Sequence, residues 1–159
     1  SGLYLQRALL IGMRYSAVRR QFKNTSGSKQ ETKLIDYQTQ QMKHLPLLGY
    51  AYGMLMSHTF LVEKYQSLLT DIRTGKFDQL DEMHHFTSGM KSVFTQLCFD
   101  GLLQVRQSIG GAGFSAWSGL PYLIDDFSPV VTYEGDNTVM AQQSANYLQK
   151  LLKRAKNGE

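Results

Sequence analysis

The sequence is poor in the residues that most constrain a chain. It has a single cysteine, Cys98, in 159 residues, which excludes an internal disulfide and any metal site built from several cysteines, and suits a reducing interior compartment. Three prolines and long stretches free of turn clusters argue against a sheet-rich fold, because short strands need frequent turn residues between them. Apolar runs approaching the roughly 20 residues needed to cross a bilayer are missing, as is a signal-peptide start, so a soluble domain without a membrane span is expected. There is no repeat and no low-complexity tract. Acidic residues are the scarcer charge, 13 against 17 Lys and Arg, for a net +4. The basic residues cluster only at Arg19, Arg20 and Lys23 and at Lys150, Lys153, Arg154 and Lys156, which reads as a solvated surface and not as a nucleic-acid footprint.

What is present suffices for one core. With 42% hydrophobic and 11% aromatic residues, 1–159 is expected to form a single all-α domain. Ser1-Gly2 resembles a tag remnant, and the helical pattern that starts at once suggests a piece of something longer.

The periodicity predicts a first helix over 3–22, apolar on most sides and closing in the basic run Arg19-Arg20-Gln21-Phe22-Lys23. A Ser- and Gly-rich loop is expected over 24–29. A second helical region begins near Glu31 or Leu34 and runs to about Thr74, with a stripe at Leu48, Tyr52, Leu55, Thr59 and Val62 and a kink or break at Pro46. A third runs from Phe77 or Asp78 to about Ile109, with Phe86, Met90, Phe94, Leu97, Gly101 and Val105 on one face, and Gly110-Gly111-Ala112-Gly113 ends it. Residues 114–129 read as a packed loop, with Trp117 as an anchor and one short helix around 121–126. A last helix comes after Glu134, capped by Asp136 or Asn137, its core face Ala141, Ser144, Ala145, Leu148, Leu151, Leu152 and Ala155. Four such segments suggest an antiparallel four-helix bundle.

Few residues stand out chemically. Glu134 lies beside Gly135, which lets backbone or ligand come close, and beside Tyr133, whose ring could shield it from water and so favour a general base. The competing reading is an acid that caps the last helix or favours its dipole. Gly110 to Gly113 could offer amides to phosphate or could merely stop a helix, and the phosphate fingerprints need a preceding strand that is not expected here. Arg19 and Arg20 beside Phe22 could contact a phosphate and a ring, or complement a helix C-terminus. His84-His85 after Glu82 has no second ligand cluster, so no metal is expected; His44 and His58 read as ordinary helix residues and Cys98 as a small core side chain.

Four ordered segments change the weighting: residues 14–22 (Arg14-Tyr15-Ser16-Ala17-Val18-Arg19-Arg20-Gln21-Phe22), 35–41 (Ile35-Asp36-Tyr37-Gln38-Thr39-Gln40-Gln41), 110–114 (Gly110-Gly111-Ala112-Gly113-Phe114) and 132–137 (Thr132-Tyr133-Glu134-Gly135-Asp136-Asn137). Their order and spacing resemble the C-terminal helical domain of the peroxisomal acyl-CoA oxidases, within the acyl-CoA dehydrogenase superfamily. The resemblance implies an FAD enzyme in which Glu134 is the catalytic base that removes the α-proton of an acyl-CoA. It yields a trans-2-enoyl-CoA and, with O2 as electron acceptor, hydrogen peroxide. It further implies FAD contacts from Arg19, Gln21 and Phe22, reaching the cofactor of the other subunit of a homodimer, from Gln107, Gly110 and Gly111, and from Asp136 and Thr138. Tyr133 and Gly135 fall at the substrate. The family's N-terminal helical, middle β and second C-terminal domains are expected to be absent, leaving the isolated piece nearly inactive. Glu-Gly-Asp-Asn looks like the oxidase version of the motif. A dehydrogenase passing electrons to a flavoprotein is the alternative within enzymes, and a helical interaction module the alternative outside them.

Overall fold

The computed structural model describes residues 1–23, 27 and 29–158. Residues 24–26 and 28 of the expected loop over 24–29 lie outside the described residues. Among the described residues the fold is all-α: α1 (Gly2–Val18), α2 (Gln38–Arg73), α3 (Leu80–Ser108), α4 (Leu120–Phe127) and α5 (Asn137–Asn157), with short 3-10 turns between them. The four long helices and the one short helix are those that the periodicity predicts.

Two compact units can be distinguished, Ser1–Gly53 with Leu97–Ser128, and Met54–Gln96 with Pro129–Glu159. The core of the first holds Leu5, Ala8 and Leu9 of α1, Leu47 and Ala51 of α2, and Leu102 and Val105 of α3, closed by Leu120 and Phe127 of α4. The Tyr4 and Phe127 rings meet at 5.1 Å between centroids, and the Tyr4 hydroxyl donates to Asp126. Pro121 occupies the first turn of α4, where its missing N–H costs nothing. In the second unit Phe60 of α2 meets Phe86 of α3 edge to face at 5.7 Å, and Lys64 lies 3.8 Å from Glu82.

Several expected boundaries and faces move. α1 stops at Val18, four residues before the expected end, because 19–22 turn extended and pair with 31–34: Gln21 N–H donates to Thr32 O at 2.9 Å, and Leu34 N–H to Arg19 O at 2.9 Å. Its burial is one-sided, with Leu3, Leu10 and Val18 exposed, and not all-round. α2 begins at Gln38, after a 3-10 turn at Leu34–Asp36, and continues through Pro46 without a break. By length and composition alone α2 could cross a bilayer, positions 45–62 having no Asp, Glu, Lys or Arg, contrary to the reading that no run comes near that length. This test is weak evidence for a span.

The buried face of α2 is His44, Leu47, Ala51 and Met54, about one residue around the helix from the expected stripe; Tyr52 is exposed. So much of this stretch is apolar that several stripes fit the period. Along α3 the deepest seam is polar at first, Ser88, Ser92 and Thr95, then Cys98, Leu102 and Val105, whereas Phe86, Met90, Phe94 and Leu97 are only half-buried. Trp117, expected as a packing anchor, is 99% exposed.

Candidate functional site

The expected site residues divide between the two units. In the first unit, 19–22 leave α1 as an extended strip held by backbone pairing to 31–34, while Tyr37 Oη donates to Gln21 O at 2.8 Å. Arg20 Nη1 donates to Glu31 O at 2.9 Å, so this guanidinium is committed to the strip. Arg19, Gln21 and Phe22 are exposed, and Phe22 adopts φ +67°, a region disfavoured for a non-glycine residue.

The other segment of this unit begins at the end of α3. Gly110, at φ +60°, turns the chain out of the helix, and 110–114 wind into a 3-10 turn. A side chain at Gly113 would put its Cβ 2.2 Å from Arg106 O, so only glycine fits there; at Gly110 and Gly111 a Cβ would meet nothing within 4 Å, leaving the backbone open on that side. The Arg106 guanidinium lies 4.4 Å over the Phe114 ring, and its buried Nε has no partner among the described residues.

Sequence reasoning missed what holds these two segments. Gln40 Nε2 donates both to Ser16 Oγ, near the end of α1, and to Ser108 O, at the end of α3, at 2.9 Å each. His44 Nε2 lies 2.7 Å from Ser108 Oγ, which itself donates to Val105 O, so the hydroxyl is the acceptor and the ring carries its proton on Nε2. Burial, and then the charge of Lys43, push His44 below the ordinary histidine value, in keeping with a neutral ring. The signal was faint: Gln40 stands in one of the four resemblance segments, but nothing in a sequence separates a structural glutamine from a surface one.

In the second unit, 129–138 carry the motif around Glu134. The amides of Thr132 and Tyr133 both donate to Pro129 O at 2.9 Å. Glu134 comes next at φ +56° and then Gly135 at φ +105°, where a Cβ would sit 2.5 Å from Met140 Sδ. Asp136 caps α5, its Oδ1 accepting from Thr138 N–H at 2.8 Å, and this bond holds the carboxyl below the usual range. The capping that competed as a reading of Glu134 is therefore done by Asp136. Glu134 is exposed and Tyr133 is half-exposed, so the tyrosine ring does not shield the carboxylate from water within this chain.

A ring of polar groups on α3 fixes the start of α5. Lys91 Nζ donates to Gly135 O and, at 2.9 Å, to Asn137 Oδ1. Thr95 Oγ1 lies 3.0 Å from Asn137 Oδ1, Ser92 Oγ donates to Asn137 O at 2.7 Å, and Asn137 Nδ2 donates to Gln96 Oε1 at 3.3 Å. Further along α5, Ser144 Oγ is 2.8 Å from His85 Nδ1, and the His85 ring stacks on Tyr147 at 4.8 Å. These bonds set the rotation of α5. Asn137, Met140, Ser144 and Tyr147 are its half-buried side, and of the expected core face only Ser144 belongs to it; Leu148, Leu151 and Leu152 are exposed.

The remaining candidates are structural. Cys98 is fully buried, its Sγ 3.2 Å from Ser1 O, and burial pushes the thiol up to about 11, which suits a core side chain and not a nucleophile. His85 and Glu82 are engaged by Ser144 and Lys64.

The fold and site together define an all-α unit that presents one free carboxylate on a strained turn and, separately, an open glycine backbone beside basic and aromatic side chains. The family described as acyl-CoA oxidase, C-alpha1 domain, matches residues 1–149, and the chain belongs to that family. Mouse peroxisomal acyl-coenzyme A oxidase 1 is 37% identical over 155 residues, covering 98% of this chain and 23% of that protein. Among solved structures, Arabidopsis thaliana acyl-CoA oxidase 1 superposes with a TM-score of 0.92 at 39% identity, over 99% of this chain and 24% of that one. Acyl-CoA oxidase-1 of Caenorhabditis elegans, solved in complex with FAD and ATP, does so with a TM-score of 0.95 at 35% identity, over the same shares. The chain thus spans about a quarter of the length of these relatives.

Proposed function

We propose that this chain is the base-bearing, flavin-contacting helical part of a peroxisomal acyl-CoA oxidase, which desaturates acyl-CoA to trans-2-enoyl-CoA in fatty acid β-oxidation and works as a homodimer. One observation carries the reading: Glu134 is exposed on a positive-φ turn and takes no part in capping α5, because Asp136 does that. A carboxylate kept out of the helix cap at a cost in backbone strain suits a functional group better than a structural one.

Glu134 would take the proton from the carbon α to the thioester carbonyl, onto one carboxylate oxygen, as the β-carbon gives up a hydride and the double bond forms. Tyr133 and Gly135 flank it, the tyrosine against the acyl chain and the glycine allowing close approach. The residues of this chain suit FAD. Arg19 supplies a fixed positive charge for a pyrophosphate and Phe22 an exposed ring for stacking, and Gly110 and Gly111 leave backbone unobstructed. Gln107 in the first unit, and Asp136 and Thr138 in the second, would add polar contacts. FAD bound there would supply the acceptor for the hydride and the route by which its two electrons reach O2 as hydrogen peroxide. Water exclusion around Glu134 would come from parts of the enzyme outside this chain, since within it the carboxylate is exposed.

The test is Glu134→Gln in the full-length enzyme. Reduction of bound flavin by acyl-CoA under anaerobic conditions should fall by several orders of magnitude while FAD content is unchanged; reduction at the normal rate refutes the assignment of the base. Reoxidation of the reduced wild-type enzyme by O2 alone separates an oxidase from a dehydrogenase.

A further inference from the structure

The ring of donors on α3 is a group of side chains that the abstraction of the α-proton does not itself use. Lys91 reaches across to the carbonyl of Gly135, the residue after Glu134, and to the Asn137 side chain; Thr95 meets the same Asn137 oxygen and Ser92 the Asn137 carbonyl. Ser92 and Thr95 are buried and Lys91 is half-buried, so these bonds are shielded from competing water. The turn they hold has two successive residues at positive φ, Glu134 and Gly135. A non-glycine residue in that region is strained and stays there only where its surroundings over-determine it. A charged donor on the carbonyl next to the strained residue is among the strongest single hydrogen bonds that could hold it.

Resting on the reading of Glu134 as the base, we propose that Lys91, acting with Thr95 through Asn137, is a positioning residue that holds the base-bearing turn in its strained form. The ammonium bonds the Gly135 carbonyl and the Asn137 side chain and not the Glu134 carboxylate. It pins the backbone on the C-terminal side of Glu134, as the Pro129 carbonyl pins Thr132 and Tyr133 on the other side, so the carboxylate starts from a backbone tethered at both ends. The asparagine of Glu-Gly-Asp-Asn thereby gains a physical role. Its oxygen accepts from Lys91 and lies within reach of Thr95, whose hydroxyl also donates to Lys91 O at 2.7 Å, while its nitrogen serves Gln96, a pattern that leucine could not reproduce.

The experiment uses full-length, FAD-loaded enzyme carrying Lys91→Met, Lys91→Arg or Thr95→Val, with Glu134→Gln in parallel. Lys91→Met should slow anaerobic flavin reduction by saturating acyl-CoA by about 10- to 100-fold, the penalty of a base displaced by about 1 Å. FAD content, the KM for acyl-CoA and the rate of reoxidation by O2 should stay within about threefold. Amide hydrogen exchange over 133–138 should accelerate, and Lys91→Arg, which keeps a charged donor, should recover most of the rate. Thr95→Val, which retains the lysine charge, should show a smaller loss of the same kind and carries the test if Lys91→Met does not fold. Wild-type reduction rates in both Lys91→Met and Thr95→Val, or a rate loss without faster exchange and without recovery in Lys91→Arg, overturn the proposal. If Glu134→Gln is inert while the α3 variants are normal, only the positioning role fails. If Glu134→Gln is fully active, the base assignment fails and the positioning role with it.

Discussion

Gly135→Ala is the sharpest structural probe of the Glu134 turn, because two separable costs meet at one atom. At φ +105° an alanine lies outside the regions open to L-residues, a cost of about 1–3 kcal/mol. Its Cβ would also sit 2.5 Å from Met140 Sδ and 3.0 Å from Met140 Cγ, so the methionine must move from a half-buried position, adding about 1–3 kcal/mol of overpacking. Gly110→Ala is the control: it has a positive φ, +60°, but nothing within 4 Å of the new carbon, so only the backbone cost of about 1–2 kcal/mol applies. Gly135→Ala should therefore lose about 2–6 kcal/mol in urea unfolding, about 1 kcal/mol or more beyond Gly110→Ala, with a fall in Tm on the order of 10 °C. Combined with Met140→Ala, the clash term should disappear and a double-mutant cycle should show coupling of about 1–2 kcal/mol. Equal losses for the two glycine variants, or no coupling to Met140, would refute the geometry of this turn.

The buried His44 makes stability depend on pH. Its folded value lies below the ordinary 6.5, so the unfolded chain binds the proton more readily; the contribution is complete above about 6.5 and is lost as pH falls toward the folded value. Urea unfolding between pH 7.5 and 5.5 should show stability declining on the acid side of 6.5, and His44→Gln should flatten that part of the profile; an unchanged profile contradicts a buried neutral ring. Trp117 is the only tryptophan, so tryptophan emission, excited selectively over the tyrosines, reports on it alone. As it is 99% exposed, this chain should emit as a fully hydrated indole, open to acrylamide quenching, and a blue-shifted, protected signal would show that the residue is covered.

Much of the architecture was legible from periodicity. Long apolar repeats with few breakers determine helices almost regardless of context, and the glycines at 110 and 113 mark the end of α3, the first turning the chain at positive φ and the second leaving no room for a Cβ. Which side of each helix faces inward was less legible. In α2 nearly every position from 45 to 56 is apolar or small, and the choice fell to the face where Gln40 and His44 meet Ser16 and Ser108. In α5 the leucines look like a core stripe, yet hydrogen bonds at Asn137 and Ser144 turn them outward.

The candidate site shows the same division. The order of the four segments and the presence of a carboxylate between Tyr133 and Gly135 are properties of the sequence, and the resemblance they carry is what the expectation of a base and a flavin rests on. That 19–22 form an extended strip and not a helix end, and that Lys91, 43 residues before Glu134, grips the turn behind it were decided only by the tertiary structure. Local periodicity records which residues can share a helix face; it has no means of recording which donor on another helix will meet a given carbonyl, because that pairing exists only once the helices have packed.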